Sequence, residues 1–142
     1  MCNMAKFQET FEHTADIGIN ASADSLGGLF EALAEGLADI IFVRGQVRQV
    51  QVCHIAVKSE DVEALAIDFL QKVLTLILTD RFLPAKISIV DIDENHLRAQ
   101  LSGEHYDSLR HEFKTEVKAV TYHQLSVEKR ADKWFARVIF DI

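Results

Sequence analysis

His13-Thr14-Ala15-Asp16-Ile17-Gly18-Ile19 is the stretch from which the rest of the chain can be read outward. Ile17, Ile19 and Ala21 alternate with Gly18, Asn20 and Ser22, the period-two pattern of a strand with one face on a core. Asp16 falls in the opposite parity with no basic residue beside it, and a carboxylate at a strand start requires a donor, a cation or water. The far end of the sequence carries a counterpart. Trp134, Ala136, Val138 and Phe140 alternate with Phe135, Arg137, Ile139 and Asp141, and Ile142 follows with no polar tail. If that last strand is docked in a sheet, the Asp141 side chain and the Ile142 terminal carboxylate are held close together. Two negative groups at a pinned terminus require a positive neighbour.

Between these ends the pattern alternates between strand and helix. Lys6 to His13 reads as a first strand, and the alternation continues from Asp16 to Ser22. Asp24 or Ser25 then offers an N-cap, and Leu26, Leu29, Phe30, Leu33, Leu37, Ile40 and Ile41 recur at helical spacing up to Val43 to Gly45. Val47 to Val57 is a β region with apolar residues on both faces. Ser59 is the expected cap of a second helix running to about Leu78, whose wide apolar stripe implies burial against a sheet. Ile87 to Ile92 and His96 to Ser102 form a hairpin around Asp93-Glu94-Asn95, and Gly103 to His111 reads as polar and irregular. Val117 to Lys129 pairs with Trp134 to Asp141 around Ala131-Asp132-Lys133. The expectation is one α+β domain over residues 1–142, in two layers, with one mixed, mostly antiparallel sheet of about six or more strands under two amphipathic helices.

Composition narrows the function. The hydrophobic share of 49% in 142 residues is enough for a core and argues against disorder. A formal charge of −7, from 15 basic against 22 acidic residues, opposes direct tight nucleic-acid binding, which depends on Lys and Arg contacts to phosphate. No window approaches the roughly 18 apolar residues of a membrane span, and Met1-Cys2-Asn3-Met4 leads into polar residues, so a cytoplasmic protein with no membrane partner is expected. Cys2 and Cys53 are too far apart in sequence to suggest a redox pair, and Cys53 reads as a core residue.

Among candidate chemistries the carboxylates come first. Asp16, Asp141 and the Ile142 terminus form an oxygen-only set that suits a hard cation such as Ca²⁺, Mg²⁺ or Mn²⁺ and not a structural zinc ion. The alternative is a set of capping and solvated termini. The six histidines show no metalloprotease-type spacing, although His13 and His123 flank the polar segments. Arg110 to Lys118 concentrates cations that suit a phosphate or an acidic partner surface, or else a solvated face offset by Glu112 and Glu116. No Gly-rich phosphate loop, serine nucleophile elbow or Cys/His pair is present.

Four segments, in order, carry a resemblance. His13 to Ile19, Ser102-Gly103-Glu104-His105-Tyr106-Asp107, Val117-Lys118-Ala119-Val120-Thr121-Tyr122-His123 and the closing Asp141-Ile142 resemble the motifs of the archease family. The resemblance implies an accessory protein, not itself an enzyme, that promotes guanylylation and turnover of an RtcB-type RNA ligase in tRNA splicing or RNA repair. RNA would be met only through that ligase. It implies that Asp16 and Asp141 bind a divalent cation, calcium first, with the Ile142 carboxylate as a further ligand, and that Lys118 is the lysine of the family's Val-Lys-Ala motif; Lys118 and His13 are the candidates for the partner face. Two other readings attach to the same residues: a chaperone or specificity modulator of an RNA methyltransferase, and an independent metal-dependent hydrolase with Glu104 or His13 as the base. The sequence departs from the family pattern at Gly27-Gly28, where acidic residues are usual, and at Asp68 to Lys72 in the second helix, where Trp and Glu are usual.

Overall fold

A computed structural model describes residues 5–13 and 15–142; of Glu12 and His13 it describes the backbone alone. The elements are β1 (Lys6–His13), β2 (Asp16–Ala23), α1 (Leu26–Ile41), a 3-10 turn (Arg44–Gln46), β3 (Gln51–Lys58), α2 (Val62–Leu78), β4 (Phe82–Ile92), β5 (His96–His105), β6 (Ala119–Arg130) and β7 (Lys133–Asp141). The fold is α+β. The strands do not form the one mixed sheet expected from sequence. They divide into a four-stranded sheet of order β1-β2-β7-β6 and a three-stranded sheet of order β3-β5-β4, antiparallel at every pairing. The cause lies in the connections. The chain leaves the first sheet through α1 and returns to it only at β6, so β3, β4 and β5 find partners among themselves.

The two helices join the sheets. α1 packs on β1, β2 and β7 of the larger sheet and on β4 of the smaller, while α2 packs on β6 as well as β3 and β4. Their shared core holds Ile19, Leu29, Phe30, Leu33, Phe69, Leu70, Leu101 and Phe140, all essentially without solvent exposure. Each such side chain contributes about 1.5–3 kcal/mol relative to exposure. The parity read from sequence is the one observed: Ile17, Ile19, Ala21, Ala136, Val138 and Phe140 are buried on the helix side.

Local chemistry sets the ends of the elements. The Ser25 hydroxyl accepts from the Gly28 N–H at 3.0 Å, so α1 starts at one of the two expected caps. The cap of α2 is Asp61, which accepts from the Ala64 N–H at 2.8 Å, and not Ser59. Ser59 is occupied elsewhere: its hydroxyl donates to Asp68 and its N–H to the Asn95 carbonyl. The expected strand at Val47 begins only at Gln51, because Gln46 and Val47 donate their N–H groups back into the 3-10 turn and Arg48 donates its own to Glu104. Pro84 sits two residues inside β4 at an irregularity of that edge strand, where its missing N–H costs no ladder bond. Cys53 is half-buried and packs against the core from the edge strand β3.

Candidate functional site

Residues from both ends of the chain meet at one end of the four-stranded sheet. The register of β2 on β7 sets Asp16 directly opposite Asp141, and the register of β6 on β7 sets Ala119 on the other side of Asp141. The ladder extends past the named strands. The Lys118 N–H donates to the Asp141 carbonyl at 2.7 Å, and the Ile142 N–H donates to the Ala15 carbonyl at 3.2 Å. His13 is the register partner of Asp16 on β1, which places its backbone at the same corner; its side chain lies outside what the structure describes. The backbone therefore brings together the five positions assigned in the sequence to the cation and the partner face: His13, Asp16, Lys118, Asp141 and Ile142.

Direct register partners share a face of a sheet with their Cβ atoms about 4.5–5.5 Å apart, and like charges placed so destabilise it. Both aspartates are half-buried, and among the described residues neither carboxylate has a hydrogen bond or ion pair. Lys118 is exposed beside them. No group of three His, Cys, Asp or Glu side chains converges anywhere among the described residues, so a cation held here takes two side chains and completes its shell with main-chain or terminal oxygens. The donor set is all oxygen and uncompensated, which fits a hard divalent cation.

A second acidic position behaves in the opposite way. Glu104, at the end of β5, is 4% exposed, and His111 is 6% exposed; they are the buried ionisable residues of the described chain. One Glu104 oxygen accepts from Arg110 Nη2 at 2.7 Å. The other accepts from Arg110 Nη1 at 2.9 Å, from the Arg48 N–H at 2.9 Å and from His111 Nε2 at 2.9 Å. The Asp107 N–H fills His111 Nδ1 as an acceptor at 2.8 Å, so the ring's proton sits on Nε2 and is donated to Glu104. The bidentate Arg110 guanidinium, followed by the Arg48 N–H, holds the Glu104 carboxyl well below the usual carboxylate range. With both oxygens engaged, Glu104 is not placed to activate water, which removes it as the base of a hydrolase. It fastens the 104–111 segment, read from sequence as irregular and polar, onto β5.

That fastening was missed because a run of Glu, His, Asp and Arg between strands looks solvated. The available signal was Gly103. A Cβ added there would lie 1.9 Å from the Leu83 carbonyl oxygen, so β4 and β5 cross too closely for any side chain, and the turn after them folds inward. Along β6 the register slips between Thr121 and Ser126, with Gln124 at φ 52°, and Tyr122 and His123 are exposed on that bulge. The other described histidines do not converge: His96 contacts Asp91 and Asp93, and His105 contacts Gln51.

A model described as the archease protein family matches residues 8–142. This chain belongs to the archease family. The protein archease of Methanosarcina acetivorans is 37% identical over 146 aligned positions, covering 100% of both chains. That of Pyrococcus furiosus is 40% identical over 139 positions, covering 94% of this chain and 97% of its own. The solution structure of Methanobacterium thermoautotrophicum protein 1598 superposes with a TM-score of 0.79 at 29% identity, covering 95% of this chain and 98% of that one. The archease-family match includes the described parts of the β2–β7 corner. Among the described residues no helix is long and apolar enough to cross a membrane.

Proposed function

We propose that this archease-family protein is a non-catalytic, cation-binding accessory factor that activates an RtcB-type RNA ligase, promoting its guanylylation and turnover. The observation that carries the reading is the register of Asp16 against Asp141, two uncompensated carboxylates, with the exposed Lys118 anchored by its backbone to the same strand end. Asp16 and Asp141, with the Ile142 carboxylate, would hold the divalent cation, calcium first, and the ion supplies the positive charge that the paired acids lack. Lys118, with a compact ammonium on a flexible stem, then offers a point charge to a phosphate or carboxylate of the ligase. Loss of Glu104 as a candidate base favours an accessory role over independent hydrolysis.

The test is the covalent GMP adduct of the ligase, formed with GTP and Mn²⁺ and catalytic amounts of this protein. Wild type is expected to increase the adduct, and Lys118→Ala to lose that increase while keeping the fold. A short C-terminal extension, which removes the Ile142 carboxylate from the strand end, is expected to do the same. An adduct yield indifferent to the wild-type protein would reject the activator reading and leave the methyltransferase modulator as the better one.

A further inference from the structure

Sheet edges are templates for further pairing, and proteins normally block them with charges, bulges, prolines or covering elements. Among the described residues three of the four edges are blocked. On β4 the Glu31 carboxylate accepts from the Ile89 N–H at 2.9 Å and Arg44 donates to the Ala85 carbonyl at 3.2 Å, so α1 and its flank consume edge groups directly. β1 carries Lys6 and Glu9 and lies against α1; β6 is bulged and ends in Glu128, Lys129 and Arg130. β3 differs. It pairs with β5 without a register shift and has no Pro, Asp, Glu, Lys or Arg before Lys58, while Val52 on its outer face is 54% exposed. Beside it runs a groove of about 760 Å³ lined by Ile55, Val57, Thr75 and Leu76, with Lys58 at the end of β3 and Asp80 near Cys53, toward its start. Asp80 lies near enough to Cys53 to add to the effect of burial in pushing that thiol's pKa up.

We propose that the free edge of β3 pairs with β3 of a second copy of this chain, antiparallel about a two-fold at Ile55, to make one continuous six-stranded sheet. Three observations select a second copy as the occupant. Side-chain alternation allows only registers that keep inner faces together. The Ile55-centred one sets Ile55 against the partner's Ile55 and Cys53 against the partner's Val57, all apolar; centring on His54 would instead set Val57 against Gln51. The antiparallel direction also carries each Lys58 to the end of the groove where the other copy's Asp80 stands, and neither residue has an ion pair among the described residues. Finally, residues 40–59 contain no Asp or Glu, so the paired strands themselves set no acid against acid in a chain of net charge −7; the acids of the groove are Asp68, which accepts from the Ser59 hydroxyl, and Asp80. The surface belongs to the smaller sheet and leaves the Asp16–Asp141 corner of the larger one uncovered.

One strand pair and a groove make a small interface, so the dimer is expected to be weak, with dissociation on the order of 10–100 µM. Light scattering from about 5 to about 500 µM, a span set by that expectation, should show the mass rising from 16.0 kDa toward twice that value. K58E and D80K should each hold the monomer mass throughout with unchanged melting temperature, and the double reversal K58E/D80K should restore association. Amide exchange should slow with concentration along residues 51–58. A wild type that stays monomeric throughout, a dimer that survives both single reversals, a double variant that stays monomeric, or concentration-dependent protection confined to other strands would each overturn the proposal.

Discussion

Asp16 and Glu104 are both carboxylates at strand ends, and their surroundings are opposite. Glu104 is buried, bound by a bidentate arginine, a main-chain N–H and an imidazole. Asp16 is half-buried, faces Asp141 across the sheet and has no partner among the described residues. A buried acid with its acceptors filled has no capacity left for a ligand, and its removal is felt by the fold. An acid opposite another acid is a cost to the fold that a bound cation would reverse. The difference lies in compensation: Glu104 finds its positive charge within the chain, and Asp16 has none among the described residues.

The largest expected effect lies beside Glu104. Gly103→Ala forces a Cβ to 1.9 Å from a backbone oxygen, and backbone cannot rotate away as a side chain can. The cost should exceed the roughly 1–3 kcal/mol of ordinary overpacking; an urea midpoint equal to wild type would show that β4 and β5 can separate freely.

Next comes one chemical change at two places. Glu104→Gln should lower the melting temperature by roughly 5 °C or more, since the amide cannot satisfy Arg110. Asp16→Asn in chelator should leave it unchanged or raise it slightly, because one of two facing charges is removed. Equal losses from both substitutions, measured side by side by calorimetry, would dissolve the distinction between the two acids.

The same contrast has a pH form. Because the folded Glu104 pKa is depressed, its stabilisation is present above the unfolded value of about 4.3 and is lost as pH falls through the lower folded value. Wild type should therefore weaken below about pH 4, and Glu104→Gln should show a shallower acid limb in a pH series of denaturant melts. A limb of the same slope in both would mean that other carboxylates govern acid unfolding.

The cation supplies the gentlest probe. Added to chelator-treated protein at 100 times its dissociation constant, Ca²⁺, or Mg²⁺ or Mn²⁺ in its place, should stabilise wild type by about 2.7 kcal/mol. Asp16→Asn should lose most of that gain and Glu104→Gln should keep it in full. Thermal shift with each ion decides it, and a flat response to all three would leave Asp16 and Asp141 without the proposed ligand.

Much of this was legible in advance. Period-two alternation at both ends of the sequence gave the correct inward faces of β2 and β7, and hence Asp16 and Asp141 on the opposite face. Their register completes the encounter, which neither segment shows alone. The split into two sheets was not legible, because β3 pairs with β5 across α2 and β4, and long-range choice of partner leaves no mark in local pattern. Ser59 and Asp61 are both good caps by type, and only the bond from Ser59 to Asp68 decides between them. The β6 bulge was hidden for a related reason: Gln124 takes a positive φ that sequence reading assigns to glycine.

β7, the last strand in chain order, lies in the middle of its sheet between β2 and β6. The hairpin of β1 and β2 emerges first during synthesis, yet the inner edge of β2 has nothing to pair with until Lys133 to Asp141 has been made. Such a topology delays its most distant contacts to the final step of folding and slows the process, as high contact order does generally. The Asp16–Asp141 corner is therefore among the last features to form, because it exists only once β7 lies beside β2.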